Sequence, residues 1–288
     1  MSVALHSDIK LGLVKLKVSN LERSIRFYQE VVGLQVLQAG STLAELTVDG
    51  RHPFLELEEI PNAQITARRS AAGLYHFAIL LPTRKDLGAS LRNLIESGIH
   101  IGQADHLVSE ALYITDPDNN GIEIYCDRPR DTWRRDAEGN YIMASDPIDW
   151  EGLLSEAADM PWSGLPAGTT MGHIHFHVRD LQVSKHFYCD ILGFDIAADA
   201  SATMRALFIS AGGYHHHIGM NLWAGQNAPV TAPNATGLDY YTIVFPNADE
   251  RRKAIERLQG AGFSPVEQDE AFVVIDPSGI RLKMASGA

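Results

Sequence analysis

Gly172-His173-Ile174-His175-Phe176-His177-Val178, then Arg179-Asp180-Leu181, then Phe187-Tyr188 and Leu192-Gly193-Phe194, is the stretch that decides the fold. Its pattern has already occurred once. Leu13-Val14-Lys15-Leu16-Lys17-Val18 leads into Leu21 through Phe27-Tyr28 and ends at Val32-Gly33-Leu34. Val18 and Val178 stand 160 residues apart, and so do Tyr28 and Tyr188. Each copy reads as an alternating strand, a turn at Ser19-Asn20 or Arg179-Asp180, an amphipathic helix and a glycine stop. A repeat on this scale defines the architecture.

A second pair of units is weaker but follows the same order. His76-Phe77-Ala78-Ile79-Leu80-Leu81-Pro82 runs into a helix over Arg84 to Ser97. Tyr240-Tyr241-Thr242-Ile243-Val244-Phe245-Pro246 runs into a helix over Asp249 to Gly260. Both close with a strand, an Asp-Pro turn containing glycine, and a second strand, at Ile114 to Glu123 and at Val274 to Arg281. That is a hairpin signature. Asp116 to Gly121 imitates the start of a calcium loop but lacks its flanking helices and final glutamate, so the hairpin turn is the reading kept.

The chain is therefore expected to be an α+β protein of four βαβββ modules paired into two domains. An N-terminal half, 1–128, holds modules over about 9–60 and 72–128. A C-terminal half, 170–288, holds modules over about 170–226 and 236–286. Between them, 129–169 carries Trp133, Trp150 and Trp162, and reads as a structured connector because three tryptophans want burial.

Bulk properties narrow the classes of function. With 288 residues, 45% of them hydrophobic and 21% charged, the chain can bury a full core. A net charge of -12 with only short basic runs, Arg134-Arg135 and Arg251-Arg252-Lys253, argues against a nucleic-acid partner. No apolar run approaches a membrane span, and Met1 to His6 has no signal-peptide character. The two cysteines, Cys126 and Cys189, suit neither a disulfide framework nor a zinc motif, so a cytoplasmic location is expected.

The chemistry-bearing residues stand on the module strands. His76 opens one, His173, His175 and His177 share one face of another, and Glu123 is a lone carboxylate between Ile122 and Ile124. Two imidazoles and one carboxylate form the set that holds a redox-active iron on one face and leaves the other open. Alternation alone leaves open which of the three histidines would bind.

The frame of histidine, five residues, a helix ending Phe-Tyr, then Leu-Gly-Phe resembles the vicinal oxygen chelate superfamily of glyoxalases and extradiol dioxygenases, over nearly the whole chain. Residues 73–82, His106 through Tyr113, 212–219 and 237–242 resemble its ring-cleaving catechol 2,3-dioxygenase branch. In that frame the ligand position lies five residues before the last apolar residue of a module's first strand, which gives Leu13, His76, His173 and Tyr240. The fourth-strand position is Glu123 in module two, with Arg281 taken as its counterpart in module four. Leu13, Tyr240 and Arg281 cannot hold a divalent metal, whereas His76, Glu123 and His173 can. The metal site should therefore combine modules two and three, of one chain or of two neighbours.

The resemblance implies Fe(II), with Mn(II) as the other ion such ligands hold, acting on a catechol-type diol and O₂ to give a yellow 2-hydroxymuconic semialdehyde. Tyr113, ten residues before Glu123, is expected to hydrogen-bond a substrate oxygen. His106 is the expected acid/base and His175 the lesser candidate. His215 and His217, on one face if the segment is a strand, and Tyr240 are expected at the substrate, with His216 turned away. Assembly into a homo-oligomer is common for such folds. The alternatives are a glyoxalase-like lyase or isomerase on Zn²⁺ or Ni²⁺, and a non-catalytic small-molecule binder. The first usually needs a second glutamate that Ile218 to Trp223 lacks, and the second needs no complete triad.

Overall fold

The computed structural model describes residues 4–287. Module one comprises β1 (Lys10–Val18), helix α1 (Leu21–Phe27), β2 (Gln35–Ala39), β3 (Leu43–Thr47) and β4 (Leu55–Glu59). Module two comprises β5 (Gly73–Leu80), α2 (Arg84–Glu96), β6 (Gly102–Asp105), β7 (Ser109–Thr115) and β8 (Gly121–Asp127). Helix α3 (Trp150–Glu156) lies in the segment between the halves. Module three comprises β9 (Thr170–His177), α4 (Leu181–Lys185), β10 (Asp195–Ala200), β11 (Ala206–Ser210) and β12 (Ile218–Asn221). Module four comprises β13 (Gly237–Phe245), α5 (Ala248–Gly260), β14 (Val266–Gln268), β15 (Ala271–Ile275) and β16 (Arg281–Ser286).

Each module helix starts on a side-chain cap. Asn20, Thr83, Asp180 and Asn247 accept from the backbone N–H three residues on, satisfying a donor that the helix leaves without a partner. Helices α1 and α4 then widen into π-helical turns, Tyr28–Val32 and His186–Leu192, and stop at Gly33 and Gly193. Both glycines are left-handed, with φ of 93° and 100°, a conformation that only glycine adopts without a steric cost.

The modules pair across the halves of the sequence. One eight-stranded sheet runs β14-β15-β16-β13-β1-β4-β3-β2, modules four and one. The other runs β10-β11-β12-β9-β5-β8-β7-β6, modules three and two. The βαβββ architecture is as the repeat implied, and modules two and three of the same chain share a sheet.

The Phe-Tyr pair in the repeat has a physical reason. Tyr28 Oη donates to Asp116 Oδ2 at 2.9 Å, and Tyr188 Oη donates to Asp276 Oδ2 at 2.9 Å, all four residues buried. Each bond ties a helix of one sheet to the Asp-Pro turn of the other. The second carboxylate oxygen accepts the backbone N–H groups of its own turn, from Asp118 and Asn120 in one case and Ser278 and Ile280 in the other. The turns are thus equivalent through Asp116 and Asp276, each donating its backbone N–H to the carbonyl four residues on. It follows that Asn119 matches Gly279, Gly121 matches Arg281, and Glu123 matches Lys283. Aligning the turns on glycine, as the sequence invites, misplaces the counterpart of Glu123 by two residues.

Burial pushes the Asp276 carboxyl up from 3.8 to about 6, against the pull of the Ile280, Tyr188 and Ser278 hydrogen bonds. The folded chain therefore holds this proton more tightly than the unfolded one. The stability it contributes is complete below about pH 4 and is lost as pH rises through about 6. Asp276→Asn should flatten the stability slope between those values in urea titrations. Tyr188→Phe should cost about 1–3 kcal/mol, since it strips a partner from a buried carboxyl.

Candidate active site

Three neighbouring strands build the site. Antiparallel pairing sets Ala78 of β5 opposite His173 of β9, and parallel pairing sets the same Ala78 opposite Glu123 of β8. His76 lies two residues along β5 on the same face. Ala78 is fully buried and carries only a methyl group, so the side chains either side of it can meet above it. They do. His76 Nε2 and His173 Nε2 each lie 3.0 Å from Glu123 Oε2, and the three donor atoms fall within 4.8 Å of one another.

The electrostatics of this trio are those of an ion site. Burial holds His76 below the ordinary imidazole range, which leaves it neutral and able to donate a lone pair. Glu123 is 2% exposed, yet burial is outweighed by the attraction of His173 and His76, and its carboxyl stays well below the usual range. His76 Nε2 is buried and, despite its proximity to the carboxylate, makes no hydrogen bond. A buried carboxylate beside a buried nitrogen lone pair is costly unless a cation sits between them. The donor set fits a divalent first-row metal ion.

Tyr113 faces Glu123 across the β7–β8 pair. Burial and the Glu123 carboxylate raise its phenol well above the ordinary value, so it remains protonated. Its hydroxyl lies 2.6 Å from His106 Nε2, while His106 Nδ1 lies 2.6 Å from the Ala144 carbonyl. The carbonyl can only accept, so Nδ1 carries the hydrogen and Nε2 accepts from the tyrosine. His175 is buried and held neutral by that burial, with Nε2 accepting from Asn221 Nδ2 at 2.9 Å.

His76, Glu123, Tyr113, His106 and His175 share one cavity of about 550 Å³, whose far wall includes Met204, Phe208 and Trp223. The segment between the halves roofs it. That segment bonds to β6 through Asp146 and Asp105, and to β10 through Tyr141 and Ala197, so it bridges the two edges of the sheet.

Three expected substrate contacts do not reach this cavity. His215 and His217 lie outside its lining and His216 lies in it, the reverse of the expected alternation. The physical reason is that β12 starts at Ile218, so the histidine run is a loop in which strand alternation does not hold. His215 Nε2 pairs with Asp127 at 2.8 Å, and His217 Nδ1 accepts from the Ala211 backbone. Tyr240 belongs to the other sheet, under the Lys283 ammonium.

His216 is the cavity residue that the sequence concealed. Its Nδ1 lies 2.9 Å from His215 Nδ1, its ring centroid 4.1 Å from that of His173, and burial holds it neutral. The one available signal was the Gly212-Gly213 pair before the run, both at positive φ, which marks a turn rather than a strand.

The equivalent place in the other sheet is built from different residues. There Leu13, Tyr240 and Lys283 replace His173, His76 and Glu123. Lys15 Nζ sits 2.7 Å from Glu56 and 2.9 Å from Glu58. Glu56 stands opposite Lys15 as Gly219 stands opposite His175, so the position of Glu56 carries no side chain in the sheet of modules two and three. A Cβ on Gly219 would lie 2.8 Å from the His175 ring.

This paired βαβββ architecture and its trio define a family, and the sequence agrees. The signature of the Glyoxalase/Bleomycin resistance protein/Dioxygenase superfamily matches residues 10–124 and 170–284, and the chain belongs to that superfamily. It is 55% identical over 274 residues to the catechol-2,3-dioxygenase of Bacillus subtilis (strain 168), covering 95% of this chain and 96% of that protein. It is 31% identical over 119 residues to biphenyl-2,3-diol 1,2-dioxygenase 2 of Rhodococcus globerulus, covering 41% and 63% respectively. The crystal structure of glyoxalase I from Zea mays superposes with a TM-score of 0.54 at 14% identity, covering 97% of this chain and 92% of that one, and so shares the fold.

Because the ligands meet over one methyl group, Ala78 should be intolerant of size. Ala78→Leu should cost about 1–3 kcal/mol through overpacking. Metal content, measured on purified protein, should fall well below that of the parent even where the variant remains folded.

Proposed function

We propose that this chain is an Fe(II)-dependent extradiol dioxygenase of the catechol 2,3-dioxygenase type, adding both atoms of O₂ to a catechol-type ring beside its diol. The observation that carries this reading is the buried carboxylate Glu123 between His76 and His173, with glycine, not a fourth ligand, at position 219. The 55% identity to a protein named catechol-2,3-dioxygenase supports it. A glyoxalase-like reaction is less well served, since that chemistry usually uses a second glutamate.

His76, Glu123 and His173 would hold the metal, with Mn(II) the other ion these donors suit. Bound there, ferrous ion supplies a common template for the diol and O₂ and a conduit for electrons between them. The protein's own groups handle orientation and protons. Tyr113 gives its hydrogen to His106, so its oxygen lone pairs are free to accept from a substrate hydroxyl. His106, anchored on Ala144, fixes the direction of that chain.

On the opposite side, Asp127 accepts from His215 Nε2–H, which leaves His215 Nδ1 to accept from His216 Nδ1–H. His216 Nε2 is then an unprotonated acceptor in the cavity wall, suited to take a proton from the diol. We assign the acid/base role to His216, with His106 acting through Tyr113. His175, tied to Asn221, shapes the wall. The segment 136–145 roofs the cavity, and Phe208 and Trp223 give it an apolar wall.

Protein purified without oxygen, loaded with Fe(II) and mixed with catechol and air should consume O₂ in step with a rising yellow product. Metal-loaded protein that consumes none contradicts the assignment. His216→Asn should lower kcat about 10²–10⁴-fold with little change in metal content. Tyr113→Phe should lower kcat/KM while sparing the metal.

A further inference from the structure

We infer that this cavity selects its diol by charge, accepting catechols whose ring substituent is uncharged or cationic and rejecting those whose substituent ends in a carboxylate. The inference rests on the dioxygenase reading of the site. Its basis is the distribution of charge around the cavity away from His76 and Glu123. Among the described residues that line it there is no lysine and no arginine, while Asp136 and Asp199 both line it.

The two carboxylates are ionised and fixed. Asp136 is held below the ordinary carboxylate range by the Asn140 side chain, and Asp199 by Ser201. Asn140 sits between them, its Nδ2 donating to Asp136 Oδ2 at 3.0 Å and its Oδ1 accepting from the Asp199 backbone N–H at 3.0 Å. One aspartate comes from the connector and the other from β10, so the pair spans the seam where the roof meets the sheet. Both are exposed, which places them at the mouth rather than at the ligand trio.

The cations close by do not line the cavity: Lys185 acts on Asp199 from outside it, Arg69 lies over the Trp223 ring at 5.7 Å, and Arg135 is turned to other work. Arg135 stacks on the Tyr141 ring at 3.8 Å and is bound to the Gly139 carbonyl, and it does not line the cavity. Size makes the mouth relevant. A cavity of about 550 Å³ is roomy for a bare catechol, so a diol anchored at the trio can extend a substituent toward the seam. A carboxylate there meets two like charges and no cation among the lining residues, whereas an ammonium meets two opposite ones.

The test compares three diols of matched reach: 4-ethylcatechol, 3,4-dihydroxyphenylpropionate and 3,4-dihydroxyphenethylamine. Turnover is followed with the iron-loaded enzyme. Binding is followed separately, without oxygen, by quenching of tryptophan fluorescence, since Trp223 lines the cavity. The propionate should show kcat/KM and affinity about tenfold below the ethyl compound, and the amine should at least equal it. In Asp136→Asn/Asp199→Asn that ratio should close to about twofold, and high salt should narrow it in the parent because the carboxylates are exposed. Equal values for the propionate and the ethyl compound, or a gap that survives in the double variant, overturn the inference alone. Turnover of none of the three overturns the dioxygenase reading, and the affinity ratio then still decides whether the cavity selects by charge.

Discussion

A carboxylate buried at 2% exposure between the imidazoles of His76 and His173 is the constraint on which the rest of this structure depends. Left uncompensated, such a charge costs several kcal/mol, and an imidazole lone pair without a hydrogen bond adds to the cost. The fold meets that cost by precise placement of strands. Pairing β9, β5 and β8 in one row brings His173 and Glu123 to either side of Ala78, and the methyl group between them sets how closely they meet. A cation held by these donors would balance the charge.

The same scaffold, used twice, carries this arrangement once. In the sheet of modules one and four the corresponding trio is Leu13, Tyr240 and Lys283, and the ammonium of Lys15 between Glu56 and Glu58 supplies positive charge from within the chain. Each half of the sequence contributes one module to each sheet. The Tyr28–Asp116 and Tyr188–Asp276 bonds fasten the two modules of each half together. The connector then crosses from β6 to β10 and becomes its roof, so the segment that joins the halves in sequence also closes the cavity in space.

Much of this could be read from the residues, and the reasons for the remainder are specific. The 160-residue repeat revealed the modules because each repeats the same strand, cap, helix and glycine stop. The trio could be singled out because only modules two and three offer metal-binding side chains in the repeated frame. Pairing of modules within one chain could not be read, since a long connector allows either partner. The counterpart of Glu123 in module four was displaced from Lys283 to Arg281, because two turns of unequal glycine position close on the same hydrogen bond. His216 was hidden because periodicity describes strands and the histidine run lies in the loop before one. The role of Tyr28 and Tyr188 as fasteners was invisible too, for their partners lie 88 residues away.

The most direct test of the account is the number of metal ions per chain. Protein reconstituted with Fe(II) without oxygen, freed of loose metal and measured by plasma emission, should hold one ion per chain. Glu123→Ala should bring that value to near zero, and Glu56→Ala should leave it at one. Two ions per chain, or one that survives Glu123→Ala and is lost in Glu56→Ala, would contradict the claim that only the sheet of modules two and three is a metal centre.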